Sequence, residues 1–350
     1  MSRLYGCAAV AALMIAAPSI ALAESYGAVE WVNGNLVQLP SLAGGGLSFA
    51  VGVNDSGVIV GRTSGVGADY AVEWKSGAPV ELGGLPGSTF NAALAINNSG
   101  TVVGYSGGFN QSQAVEWTDG VASVLRAPQG MVQASAINDS GVVIGSWSPP
   151  VGPANAVEWI NGSMTVLGTD AHATGINASG DVVGYSYQAG KTEAVEWIDG
   201  SMIVLNVPAG AASQATKINA PGDIVGTIST PGNRAQPVMW DANGQMIYLR
   251  TPDGLPGGAN DINNLGKVVG SLTDVPKPLT WTDGAVSSLP ILPGTAAYAV
   301  ALNNSGVVVG YSLPSSVPEA STWSMMFLGF AGMLAFRRRF SMEGSKEGTL

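Results

Sequence analysis

The tetrad Ala-Val-Glu-Trp recurs at residues 28–31, 71–74, 114–117, 156–159 and 194–197, and degenerate copies end at Trp240 and Trp281. Successive tryptophans stand 43, 43, 42, 38, 43 and 41 residues apart. Out of phase with them runs a second motif: an apolar residue, Asn, two variable residues, Gly, then two β-branched residues and Gly. Its Asn falls at 54, 97, 138, 177, 219, 263 and 303. A period of this length confines the chain to a repeat architecture, in which each unit buries its apolar face against its neighbours.

Each repeat reads as four short strands. The run Gly141 to Ser146 and its copies are rich in β-branched residues. The Asn-Asp-Ser-Gly or Asn-Asn-Ser-Gly before them suits a compact turn, with Asn closing an Asx-turn and Gly at positive φ. After the tetrad come Asn33-Gly34, Asp119-Gly120, Asn161-Gly162, Asp199-Gly200 or Asp283-Gly284, then a short apolar strand such as 164–167 or 202–205. Asn-Gly and Asp-Gly between apolar runs are the strongest short-range hairpin signal. Two hairpins per roughly 42 residues, with no sustained helical period between them, give an all-β chain with the arithmetic of a β-propeller blade. The body opens with a tetrad hairpin lacking its partner (28–39) and closes with the complementary hairpin lacking its tetrad (300–312). Six whole repeats and two halves predict seven blades across 24–312, the last assembled from both chain ends, which removes exposed sheet edges. The alternative is an open β-solenoid. It calls for distinct polar caps at its ends, and the sequence offers none.

Composition narrows the function. Charged residues are 11% of the 350 and hydrophobic ones 46%; the formal charge is −10, with 14 basic against 24 acidic residues. That excludes a nucleic-acid binder, which holds phosphates with Lys and Arg clusters. There is one Cys and one His. Cys7 lies in the leader described next, so the exported chain has no thiolate nucleophile, disulfide or Cys-based metal site. No zinc-protease, P-loop, dinucleotide or EF-hand pattern occurs. Gly and Pro, 49 and 20 residues, make about a fifth of the chain, below the level of low-complexity disorder.

The two ends carry addresses. Arg3 precedes an apolar run, 8–20, and Ala21-Leu22-Ala23 supplies the small residues of a signal-peptidase site, with cleavage before Glu24. A short membrane anchor is the other reading of this run; the cleavage site and the polar stretch after it favour a signal peptide, 1–23. At the other end a linker and motif segment, 313–321, contains Val317-Pro318-Glu319-Ala320. An apolar stretch, 322–336, follows, then Arg337, Arg338 and Arg339 and a tail, 340–350, expected to be cytoplasmic. Fifteen helical residues reach about 23 Å, a marginal span unless the arginines snorkel. An ordinary tail anchor fits this pattern. Its three parts in fixed order also resemble the PEP-CTERM sorting signal of Gram-negative bacteria that make exopolysaccharide. The resemblance implies transient inner-membrane insertion, processing by an exosortase near Pro318-Glu319, and release or transfer to the cell surface. Here the motif reads PEAS, where the family commonly has PEP.

The repeats, from Ala28 to Ser312, resemble the HAF family of extracellular repeat proteins, whose unit joins a Trp motif and a D-G or N-G turn to an IN-x-x-G-x-VVG segment. The family's HAF-like tripeptide is replaced here by AVE. The resemblance implies an extracellular or surface location and no particular activity.

Several residues invite a binding role. The repeated tryptophans resemble a sugar-stacking array, but a Trp at one place in every repeat, two residues after a Val on the same strand face, is more economically the core between blades. Trp147 stands outside that phase beside Pro149 and Pro150, and is the preferred single surface aromatic. Glu30, Glu73, Glu116, Glu158 and Glu196 precede five of the seven tryptophans. On symmetric blades they form a partial carboxylate ring, a site for calcium or a cationic partner. The plainer reading gives each a hydrogen bond to the next blade's backbone, and Met239 and Thr280, which break the ring, favour it. The repeat Asn is explained by its Asx-turn. His172 is expected on a loop between blades as a solvated residue, although a lone His is also a metal ligand or general base elsewhere. Asp69, Glu81, Asp170, Asp181, Glu193, Asp223, Asp253, Asp261 and Asp274 lie outside the repeat and include any acid–nucleophile pair of a glycosidase.

The expected function is a secreted, non-catalytic binding or structural component of the cell surface or exopolysaccharide matrix, with no required cofactor. A glycan-active hydrolase or lyase on the same scaffold would need carboxylates converging at one ring opening. A protein-binding module would need a large exposed patch. Processing from Glu24 to Pro318 removes Arg3, Arg337, Arg338, Arg339, Lys346, Glu319, Glu343 and Glu347, leaving nine basic and 21 acidic residues, or −12. Such a surface repels acidic polysaccharide, so matrix association is expected to need a neutral glycan or bridging calcium.

Overall fold

A computed structural model describes residues 26–108, 111–188 and 190–315. The expected signal peptide with Ala21 and Ala23, the sorting residues Val317, Pro318, Glu319, Ala320, Arg337, Arg338 and Arg339, and the apolar stretch 322–336 lie outside these residues. Twenty-eight strands form seven antiparallel units of four. Blade 2 shows the pattern: an inner strand Ser48–Val53, a second Ile59–Ser64, a third Asp69–Lys75 and an outer Ala78–Glu81. Blades 3 to 7 repeat it in chain order, with inner strands Phe90–Ile96, Met131–Ile137, Ala171–Ile176, Ala212–Ile218 and Gly257–Ile262. Blade 1 joins the chain ends: inner Thr295–Leu302, second Val308–Pro314, third Gly27–Val32 and outer Asn35–Gln38. Its ladder pairs Gly27 with Ser312 and Trp31 with Val308. Each inner strand touches the next, and blade 1 touches blade 2, so the ring is closed. This is the seven-bladed propeller that the complementary half-repeats require, and the solenoid is excluded.

The core is seven seams. Each draws one face from one blade and the opposite face from the next: Ala28, Leu39 and Val309 of blade 1 meet Ile59, Val72 and Trp74 of blade 2, and Val29 and Trp31 meet Val269 of blade 7. All seven repeat tryptophans are at most 2% exposed. In six of them the indole Nε1 donates at 2.6–2.9 Å to a carbonyl just past the outer strand of the preceding blade: Pro290, Pro40, Gly83, Arg126, Asn206 or Arg250. Trp197 is the exception, buried with no partner for its Nε1. The cause is the 38-residue spacing. The outer strand of blade 4 (Ser163–Thr169) runs straight into the inner strand of blade 5 through Asp170 alone, deleting the segment that supplies the carbonyl elsewhere.

The glycine after the β-branched pair answers to a close approach. Every inner strand carries a bulge opposite it, as between Ala50 and Gly52, where Ala50 faces Gly61, and between Ala173 and Gly175, where Ala173 faces Gly184. A Cβ at Gly61, Gly104, Gly145, Gly184, Gly226, Gly270 or Gly310 would lie 1.8–2.0 Å from an inner-strand carbonyl oxygen, so no other residue fits without moving backbone. In six blades the outer hairpin closes by a two-residue type I′ turn, as at Asn33 and Gly34, both with positive φ (51° and 78°); blade 6 uses the longer Asp241–Gln245 connection.

The repeat Asn does more than its turn asks. Its Oδ1 accepts the backbone N–H four residues on, for example Val58 to Asn54 and Val142 to Asn138. Its Nδ2 leaves the blade: Asn54, Asn97, Asn138, Asn219, Asn263 and Asn303 each donate to the carbonyl of the next repeat's Asn at 2.9–3.2 Å. Asn177 is the one of the seven whose Nδ2 bonds only within its own turn, to Asp181; Asn219 bonds Asp223 of its turn as well as the next blade. The Asx-turn reading was half of the residue's role; the other half ties the blades together.

Candidate functional site

Inner strands run from one end of the ring, here called the mouth, to the Asn turns at the other. Near the mouth, the inner and second strands of each blade bring one cross-strand pair together: Phe49 with Arg62, Ala92 with Tyr105, Gln133 with Ser146, His172 with Tyr185, Gln214 with Thr227, Gly258 with Ser271, Tyr298 with Tyr311. One residue further in, the pair is Ala and Gly in all seven blades. The repeat is thus constant where it packs and varied at the mouth, which is how a symmetric scaffold acquires a distinctive surface.

The variation has a direction. Across blades 1 to 3 a belt of rings and charge is continuous. Tyr298 stacks on Tyr311 (4.9 Å between centroids, 24°), Tyr311 meets the edge of Phe49 (5.3 Å, 74°), and the Arg62 guanidinium lies 5.0 Å over the Phe49 ring. Arg62 is bonded to Asp69 at 2.8 Å, both side chains about 15% exposed, and hydrogen bonds Tyr105 of the next blade. Burial raises the Tyr105 phenol, with Arg62 opposing. Burial also raises Tyr311, so the belt keeps its phenolic protons through neutral pH.

On the far side, His172 Nδ1 lies 3.1 Å from Ser146 Oγ of blade 4, and its ring stacks on Tyr185 at 5.0 Å. Burial lowers the imidazole's pKa, opposed by Asp170, and pushes Tyr185 up to about 12. Both are neutral at pH 7. His172 was expected on a loop; it is the second residue of an inner strand, because the shortened connection leaves no loop there.

The sequence candidates are not brought together. Trp147 lies within the second strand of blade 4, half-buried against the seam with blade 3, its Nε1 donating to the Gln129 carbonyl at 3.2 Å. The five glutamates sit one per blade on the third strands of blades 1 to 5. Their observed bonds stay within their own blades: Glu73 with Lys75 at 2.7 Å, Glu116 accepting from Ser123. The expected bond to the next blade's backbone is not made. Glu30 and Glu158 are raised by burial, Glu196 by burial and by Asp181. Among the described residues no three His, Cys, Asp or Glu side chains are grouped to hold a metal ion.

The non-repeat carboxylates disperse as well. Asp69 is spent on Arg62. Asp181 and Asp223 accept the Asn177 and Asn219 amides at the turn end. Glu193 pairs with Lys191, and Asp274 with Arg234. Asp261, buried, accepts Ile262 N–H and, across the closing seam, Leu302 N–H, both at 2.9 Å. Apart from His172 and Asp69, the mouth residues were missed because their two columns change from repeat to repeat and so make no repeated motif. Aligning the seven repeats on Asn and Trp and asking which columns vary would have found them.

The comparisons with known proteins bear on the two parts separately. Residues 316–339 match the PEP-CTERM protein-sorting motif. The chain carries an exosortase sorting signal. It is therefore an exported protein, processed at the membrane by exosortase. The PEP-CTERM match begins two residues past the last propeller strand, which ends at Pro314. Among the described residues no helix is long and apolar enough to cross a membrane. No curated protein matches the chain. Among solved structures it is similar to virginiamycin B lyase from Staphylococcus aureus (TM-score 0.52, 11% identity, covering 82% of this chain and 99% of that one). It is also similar to the β-propeller domain of the Trilobed protease from Pyrococcus furiosus (0.52, 11%, 73% and 82%), described as having an open velcro topology. At such identity the likeness is one of fold.

Proposed function

We propose that this exported, exosortase-sorted propeller is a non-catalytic binding component of the cell surface or exopolysaccharide matrix that engages its ligand at the mouth. The observation that carries this is the contrast between seven blades built alike and a mouth where paired positions hold different aromatic, amide, hydroxyl and charged residues. The PEP-CTERM match supports export; membership of the repeats in the HAF type of extracellular proteins is part of the proposal. Trp147, near the same end, is a secondary contact. The mature charge of −12 favours neutral glycan, or calcium as a bridge, with Glu30, Glu73, Glu116, Glu158 and Glu196 the carboxylates on offer. The hydrolase reading asks for free carboxylates converging at the mouth; Asp69 is paired with Arg62, and Asp170 lies on the other side of the ring.

The test is the intact mass of the native protein in membrane, matrix and medium fractions of the producing cell. The expected species begins at Glu24, ends between Val317 and Glu319, and sediments with the matrix. A membrane-bound form retaining Arg337 to Leu350 would overturn the assignment.

A further inference from the structure

Resting on that reading of the mouth, we infer that the blade 1–3 belt is a saccharide subsite, with Tyr298 as the platform for a sugar ring and Arg62–Asp69 as the hydroxyl-binding pair, and that its ligand is a neutral oligosaccharide.

Three observations converge. Tyr298 is half-buried, and one of its faces is occupied by Tyr311. That stacking fixes the ring's plane, so its remaining surface meets a ligand without first losing rotamer freedom. A pyranose presents a face of C–H bonds that packs on such a surface, leaving its hydroxyls at the rim. Next, the charges are matched. Arg62 and Asp69 sit 2.8 Å apart, offering guanidinium donors beside carboxylate acceptors. Adjacent hydroxyls, each donor and acceptor at once, satisfy both groups without separating them. Finally, the belt contains no unbalanced cation. A uronate or sulfated sugar would compete with Asp69 for Arg62 and enter a molecule of net negative charge, whereas a neutral sugar meets neither cost. The rest of the mouth agrees: Tyr105, Gln133 and Ser146 continue the rim with neutral hydroxyls and an amide.

The experiment uses the mature chain, Glu24 to Pro318, titrated calorimetrically with hexasaccharides of glucose, galactose and mannose and with a galacturonic acid hexasaccharide. Expected is binding of at least one neutral hexasaccharide at least tenfold tighter than the galacturonate. Tyr298→Ala should weaken it tenfold or more with an unchanged denaturation midpoint, and Arg62→Gln/Asp69→Asn should weaken it similarly. Tyr248→Ala, on the exposed outer strand of blade 6, should leave it unchanged. Should Tyr298→Ala lower the midpoint, Tyr298→Leu serves instead; it fills the same space without an aromatic face and is expected to weaken binding tenfold or more, while wild-type affinity in it overturns the inference. Equal or tighter binding of the galacturonate, or wild-type affinity in Tyr298→Ala, overturns the inference. So does the absence of neutral-sugar binding; if the protein still sediments with native matrix, the broader binding role survives that result, and if it does not, both fall.

Discussion

At the turn end of the ring, seven asparagines occupy one position, and six pass an amide hydrogen bond to the next blade; at the mouth, fourteen paired positions hold Phe, Arg, Tyr, Gln, Ser, His, Thr, Gly and Ala. Both ends are carried by the same strands, a few residues apart. The turn end is repeated because each blade must meet the next in the same way for seven to close without a gap. The mouth is free of that demand, since Trp, Val and Ala in the seams already hold the blades. What repeats in this chain is what closes it, and what varies is available for recognition.

Substitutions break or sharpen that contrast in decreasing order of effect. Gly184→Ala places a Cβ 1.9 Å from the His172 carbonyl oxygen; loss of the soluble folded protein, or destabilisation beyond about 4 kcal/mol, is expected in urea denaturation. Trp74→Ala empties a seam and orphans the Pro40 carbonyl, at a cost of about 3–5 kcal/mol by the same measurement. Asn97→Ala loses the Thr101 turn bond and the link to Asn138, whereas Asn177→Ala loses a turn bond and only a bond within its own turn. The first should be the costlier by about 1 kcal/mol; equal midpoints would deny the amide chain a part in closure.

Asp261 tests the closing seam through pH. Its carboxyl is raised, mainly by burial, with Lys217 and its two backbone donors opposing. A raised acid favours the folded state fully below its unfolded pKa, about 3.9, and that advantage is lost as pH rises through the folded value. The unfolding free energy of the wild type relative to Asp261→Asn should therefore fall from pH 4 upward. The smallest effect is expected at the mouth itself: Gln133→Ala should shift stability by no more than about 0.5 kcal/mol, and a larger loss would mean that the mouth helps to hold the ring.

The closure was legible because it is arithmetic: a tetrad hairpin at 28–39 and its complement at 300–312 leave one blade to be shared. The tryptophan seams were legible because Val29 and Trp31 fall on one face of a strand whichever partner they meet. The mouth was not. Phe49 and Arg62 are thirteen residues apart and meet through a bulged register that no local pattern announces. His172 was misplaced because other repeats spend several residues between blades where this one spends Asp170. The glutamates show a similar limit, since periodicity gives a side chain its face and not its partner.

The strand that leads to the sorting signal is not an edge. Val308–Pro314 lies between Gly27–Val32 and Thr295–Leu302, hydrogen-bonded to both. Any tension transmitted from the carboxyl end, from a membrane or from whatever the processed terminus is joined to, enters along this strand and must shear two ladders at once. An outer strand would instead peel one bond at a time. The chain is thus tethered by its clasp, and a pull on the tether is resisted by the same two ladders that hold the ring shut.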